Sequence, residues 1–230
     1  MRAKPSAASA FSDPQAVARY AEGPPRMVPG FHDMQRLTSL LLEEHVPEKG
    51  RVLVVGAGGG LELKAYVETH PHWTLDGVDP SPEMLGLAER AIGPLKARVQ
   101  LHQGYIEVSP EGPFDGASCL LTMHFIDRAE RLRTLREIHR RLKLGAPLVL
   151  VHMSFSQGEW ERKVWLSRYA AFAVSSGIDP EKAEAGRAAV DDRLHILNPE
   201  QDEELLREAG FSKVSLFYTG FTFRGWVAYA

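Results

Sequence analysis

The run Val52–Val55 is unbroken in its apolar character and opens directly onto Gly56, as a short strand buried on both faces of a parallel sheet would. Further strands are predicted at Trp73–Val78, Arg98–His102, Phe114–Leu121 and Pro147–Met153. Between these runs the apolar residues recur at helical spacing. From Phe31 onward Met34, Leu37, Leu40, Leu41 and Val46 share one face, until Pro47 and Gly50 end the run. A second helix is predicted over 61–69. The third is capped by Ser81, carries Pro82 in its first turn and reaches Ile92. A fourth spans 128–142, with Leu132, Leu135, Ile138 and Leu142 on one face and Gly145 as its stop. Such strand-helix alternation implies right-handed crossovers and a parallel sheet covered by helices on both sides.

Beyond Met153 the rhythm changes. Residues 154–198 read as a mainly helical insert, with Trp160, Val164 and Trp165 near its start. A last helix runs from Pro199 to Ala209 and stops at Gly210. Val214–Tyr218 and Phe223–Tyr229, joined around Gly220, then read as two adjacent antiparallel strands. At the other end, residues 1–30 are rich in Ala, Ser, Pro and Gly, and Pro24, Pro25 and Pro29 are expected to break any helix there. The division is therefore a flexible arm over 1–30 and one domain over 31–230.

A length of 230 residues suits one domain with embellishments. Hydrophobic residues at 44% and charged residues at 25% describe a globular chain and exclude a wholly disordered one. The net charge of −3 supplies no global field for nucleic acid. Cys119 is the one cysteine, so an internal disulfide and a cysteine zinc cluster are both excluded. The first ten residues lack the apolar core of a secretory signal, and the longest apolar run, Val52–Leu61, is too short to cross a bilayer. A cytoplasmic protein without membrane attachment is expected.

Candidate chemistry begins at the strand end. In Gly56-Ala57-Gly58-Gly59-Gly60, glycines let backbone N–H groups approach a polar or anionic ligand at a helix N-terminus. A dinucleotide fingerprint would need glycine at 61, where this chain has Leu61; the spacing is G-x-G-x-G. Asp79 follows Gly56 by 23 positions at the end of the next strand, placed to accept hydrogen bonds from both hydroxyls of a ribose. His124 and His152 follow the fourth and fifth strands and are the candidate proton acceptors, an imidazole being suited to that task near neutral pH. His32 and His195 are further candidates for an acceptor pocket. Neither H-E-x-x-H, nor an EF-hand loop, nor a G-x-S-x-G elbow is present, so no metal and no serine hydrolase is expected. Trp160, Trp165, Tyr169 and Phe172 form an aromatic stripe that fits core packing or a homodimer contact through the insert.

The glycine loop, Asp79 and the closing strand pair resemble the class I S-adenosylmethionine-dependent methyltransferases over roughly residues 31–230. That resemblance implies a Rossmann-like three-layer α/β sandwich: a seven-stranded, mostly parallel sheet with an antiparallel last strand, interrupted here by the helical insert between strands 5 and 6. It also implies S-adenosyl-L-methionine as cofactor, with Gly56, Gly58 and Gly60 at the methionyl end, Asp79 at the ribose and Tyr105 near the adenine. Ala57, Pro80, Ile106, Leu120 and Phe31 complete the expected cofactor-binding set. Val54 departs from the family, which usually carries an acid at that position.

Within the family, Arg26–Phe31, Gly77–Met84 and Glu208–Phe211 resemble the carboxy-S-adenosylmethionine synthase branch, which acts with prephenate in tRNA wobble-uridine modification. Register through the insert then puts Arg187 on a carboxylate-binding arginine. Phe31 stands where that branch has a tyrosine, and Leu120 where it has an asparagine. A leucine in place of a buried polar contact changes the chemistry. The expected activity is therefore methyl transfer to a small-molecule acceptor. The carboxylating synthase is the alternative, and a cofactor-binding protein without turnover the third reading.

Overall fold

The computed structural model describes residues 20–230. Two short elements, a 3₁₀ turn at Tyr20–Glu22 and helix α1 at Pro24–Met27, lead into α2 at Phe31–Glu43. The alternating core follows: β1 Arg51–Val55, α3 Leu61–Thr69, β2 Thr74–Asp79, α4 Pro82–Ile92, β3 Val99–Gln103, β4 Gly116–Leu120, α5 Arg128–Arg141 and β5 Pro147–Met153. Two insert helices, α6 Glu159–Ser175 and α7 Pro180–Arg193, precede α8 Pro199–Glu208, β6 Ser212–Gly220 and β7 Phe223–Tyr229.

The seven strands lie in the order β3-β2-β1-β4-β5-β7-β6. The first five run parallel, and β7 is antiparallel to both β5 and β6. Side chains alternate across the sheet with the period of two that a strand imposes. Leu53 and Val55 of β1 enter the core beneath α5 and α8, whereas Val52 and Val54 enter the one shared with α2 and α3. The chain order reverses between β1 and β4, so the carboxyl ends of these two strands splay a crevice, the usual ligand position in an open α/β sheet.

Three expectations need correction. The arm is not wholly helix-free, because Pro24 and Pro25 occupy the opening positions of α1, where a missing N–H removes no helical bond. The part of the expected flexible arm before Tyr20 lies outside the described residues. In α2, Leu37 and Leu40 are 40% and 47% exposed, while Thr38 and Ser39 are buried. Their burial is tolerated because Thr38 Oγ1 donates to the Met34 carbonyl and Ser39 Oγ meets His70 Nε2 at 2.8 Å. The aromatic stripe of the insert also divides: Tyr169 is buried and Trp160 is 71% exposed.

A third core lies above the strand ends, where Val28, Phe31 and Met34 of the arm and α2 meet Leu166, Tyr169 and Ile196 of the insert region. Tyr169 donates to Met27 Sδ at 3.3 Å and the Tyr218 hydroxyl to the Pro29 carbonyl, so arm, insert and β6 are tied together. Among the described residues no helix is long and apolar enough to cross a membrane.

Candidate active site

Where β1 gives way to α3 the backbone must turn sharply, and Gly56, Gly58 and Gly60 adopt φ of 72°, 45° and 78°. The reasons for glycine differ. A Cβ at Gly56 would lie 2.0 Å from Thr122 Oγ1, and one at Gly60 would lie 2.7 Å from Ala88 Cα. At Gly58 nothing lies closer than 3.4 Å, so only the left-handed backbone calls for glycine there. The Gly56 and Ala57 N–H groups donate to the Val78 carbonyl at 2.9 and 3.0 Å, which pins the loop to the end of β2.

Asp79 closes that end. Its Oδ2 accepts from the Gly58 N–H at 3.0 Å and its Oδ1 from the Ser81 N–H at 2.9 Å. Burial raises its pKa, and these two backbone donors oppose the rise. Each carboxylate oxygen has two acceptor positions, so a fixed pair of oxygens remains able to take two further donors. A neighbouring pair of hydroxyls on a sugar satisfies that requirement.

A cavity opens beside Asp79 at the carboxyl ends of β1, β2 and β4. Gly56, Gly58, Asp79 and Pro80 line one side, Tyr105 and Ile106 another, and Leu120 a third. Ile106 and Val78 supply apolar floor, while Tyr105 is partly exposed and offers an aromatic face at the rim. Leu121, Thr122, Phe125 and Ile126 continue the wall from β4. Leu121 has φ of 56°, a strained conformation for leucine, and its N–H is held by the Val151 carbonyl at 2.6 Å.

Several expected site residues lie elsewhere. Ala57 is fully buried behind the loop against Gly77, and Gly60 packs on Ala88. Phe31 belongs to the core between arm and insert rather than to the cavity wall. Arg187 makes three hydrogen bonds to Glu184 one turn back on α7, away from the cavity. His124 and His152 are both buried off the cavity. The Nδ1 of His124 accepts from the Met153 N–H at 3.2 Å, and burial with neighbouring His152 and Arg131 holds its pKa well below the ordinary value. His152 packs against Trp226 with Nε2 3.1 Å from Asp202, and burial likewise lowers its pKa. Asp202 also pairs with the buried Arg131, whose second amino group donates to the Met123 and His195 carbonyls at 2.9 and 2.7 Å. This polar cluster fastens the loop after β4 to α8 and to the end of the insert.

One residue at the cavity, and one buried just behind the glycine loop, escaped sequence reasoning. Tyr20 lies over the glycine loop, its Cδ1 2.7 Å from where a Gly59 Cβ would stand, and burial raises its phenol pKa. No periodicity in the arm marks that residue. Glu62, second in α3, reads from sequence as a polar helix position, yet it is only 8% exposed. Burial pushes its carboxyl up to about 8, with Asp79 adding to the rise.

Residues 52–145 match a protein family described as a methyltransferase domain. Among curated relatives, the carboxy-S-adenosyl-L-methionine synthase of Chromohalobacter salexigens is 26% identical over 221 residues, covering 94% of this chain and 82% of that protein. The enzyme of the same description from Campylobacter fetus is 22% identical, covering 94% and 93%. Among solved structures, an O-methyltransferase family protein from Burkholderia thailandensis superposes with a TM-score of 0.69 at 17% identity, covering 96% of this chain. Human N-acetylserotonin methyltransferase in complex with S-adenosylmethionine gives 0.62 at 13% identity over 95% of this chain. The chain spans 61% and 57% of the length of these two structures, and the likeness to them is one of fold.

Proposed function

We propose that this protein, whose residues 52–145 match a methyltransferase domain, is a class I S-adenosylmethionine-dependent methyltransferase that binds S-adenosylmethionine beside Asp79 and directs its methyl group to a small-molecule acceptor. The observation that carries this reading is the Asp79 carboxylate, held open toward the cavity by the N–H groups of Gly58 and Ser81. In it Asp79 takes the ribose hydroxyls, Tyr105 and Ile106 flank the adenine, and the backbone of Gly56–Gly58 borders the methionyl end. The bound cofactor supplies a methyl group on a positively charged sulfur, already a good leaving group. What falls to the protein is orientation and the exclusion of water. Alignment of two reactants is worth about 7–11 kcal/mol, and Leu120, Leu121, Phe125 and Ile126 form an apolar wall that favours a desolvated acceptor. Neither His124 nor His152 reaches the cavity, so this reading assigns no proton transfer to them.

Two measurements test it. Calorimetric titration with S-adenosylhomocysteine is expected to show one saturable site, and no binding would refute the assignment. Labelled methyl transfer to a panel of phenols, carboxylic acids and amines then identifies the acceptor class.

A second reading, carboxylation of the cofactor, is favoured by 26% identity to the Chromohalobacter synthase across 94% of the chain. It requires Arg187 to leave Glu184 and hold a carboxylate. Incubation with prephenate and S-adenosylmethionine, followed by mass spectrometry for a heavier sulfonium, decides that reading.

A further inference from the structure

We infer that Tyr20 is a ligand-contacting residue whose ring closes the cavity over the amino-acid end of the bound S-adenosyl compound, an assignment that rests on the cofactor reading above. Tyr20 stands on the cavity wall together with Gly58 and Asp79. Its hydroxyl oxygen lies 3.7 Å from where a Gly58 Cβ would stand, and its Cδ1 and Cε1 lie 2.7 and 3.1 Å from the corresponding point at Gly59. The ring therefore lies along the glycine loop, with Cδ1 over Gly59 and the hydroxyl toward Gly58, the one of the two that borders the cavity.

That seat accounts for a glycine that the turn does not require. Gly56, Gly58 and Gly60 have left-handed backbones and Gly59 does not, so a side chain at 59 meets no conformational penalty. What excludes a Cβ there is the Tyr20 ring. The other near atom, Leu87 Cδ2 at 3.1 Å, is the free end of a flexible side chain and can yield. An arm residue and a loop residue are thus fitted to each other at the place where the methionyl part of the ligand lies in the cofactor reading. The arm is itself anchored. The Tyr20 carbonyl accepts from the Gly23 N–H at 3.1 Å, α1 follows at once, and α1 packs against α6, whose Tyr169 donates to Met27 Sδ. An aromatic ring suits such a cover, because it removes much apolar surface from water at a small cost in side-chain entropy. Burial, with Glu62 and Asp79 nearby, raises the phenol pKa. The hydroxyl consequently stays uncharged and does not repel the carboxylate of the ligand.

The test uses the full-length protein and two ligands, S-adenosylhomocysteine and 5′-deoxy-5′-methylthioadenosine, the second lacking the amino-acid end. By calorimetry, Tyr20→Ala should weaken S-adenosylhomocysteine by roughly tenfold or more and leave methylthioadenosine within about twofold of wild type, which also shows that the variant is folded. Tyr20→Phe keeps the ring and should recover most of the lost affinity. Gly59 does not line the cavity, so Gly59→Ala can reach the ligand only by displacing the ring, and it should reproduce the Tyr20→Ala pattern. The double variant should then bind no more weakly than Tyr20→Ala alone, the two changes acting through one contact. Unchanged S-adenosylhomocysteine affinity in Tyr20→Ala, an equal loss for both ligands, or no recovery in Tyr20→Phe overturns the assignment. So does wild-type affinity in Gly59→Ala, or full additivity in the double variant. Failure of both ligands to bind the wild type would instead sink the cofactor reading.

Discussion

Replacing Asp79 by Asn tests the site at its centre. Oδ1 holds the Ser81 N–H at 2.9 Å and Oδ2 the Gly58 N–H at 3.0 Å, so both oxygens already accept from backbone. Asparagine retains one oxygen and places an amino group where the other stood. That amino group then faces a backbone N–H, donor against donor, and can no longer accept from a ribose hydroxyl. Hydrogen bonds to a charged group contribute about 1.5–3 kcal/mol each, which corresponds to roughly 10- to 150-fold in affinity for the loss of one. The loss should appear in the Kd for S-adenosylhomocysteine measured by calorimetry, with a thermal melt on the same sample to show that the fold is intact. A folded Asp79→Asn protein whose Kd lies within threefold of wild type would refute the role. The same logic sets the pH dependence: burial raises this carboxyl's pKa, so acidification should weaken binding at higher pH than for an exposed aspartate, because protonation removes acceptor capacity.

Other consequences are open to measurement. Gly56→Ala forces a Cβ into a left-handed backbone at φ of 72° and 2.0 Å from Thr122 Oγ1. The backbone conformation alone costs about 1–2 kcal/mol, and a Tm equal to wild type would contradict that packing. Arg131→Met should lower the unfolding free energy by about 3–5 kcal/mol, since it strands Asp202 in the core. Denaturant titration should find most of that loss restored in the double variant Arg131→Met/Asp202→Leu. His124 and His152 both have pKa values lowered by burial. The unfolded chain therefore binds protons that the folded one resists, and stability should fall as pH drops below the ordinary histidine value near 6.5. Equal unfolding free energies at pH 7.5 and 5.5 would show that these rings charge freely in place.

Much of the scaffold is legible in the chain. The apolar run at Val52–Val55, the cap at Ser81 with Pro82 behind it, and Pro147–Met153 all fall where local rules put them. These features depend on backbone sterics and on the periodicity of burial within one element, which neighbours in sequence suffice to determine. Gly56 and Asp79 are legible for a related reason: a strand end and a tight turn lie beside them, and the parallel pairing of β1 with β2 brings both to one edge.

What escaped depends on partners distant in sequence. Whether His124 and His152 face a cavity or a core was decided by Asp202 and Trp226, which α8 and β7 bring from the end of the chain. The exposed face of α2 and the seat of Tyr20 over Gly59 are equally matters of what packs above them. So is the charge of Glu62: its identity and its place on a helix are written in the sequence, whereas its protonation follows from burial among Asp79, Tyr66 and Tyr20. Periodicity and turn chemistry act within a few residues, so the chain alone determined the elements and the loop. The field and solvation at a side chain come from atoms that only folding brings together, so the tertiary structure alone decided which of these residues can act.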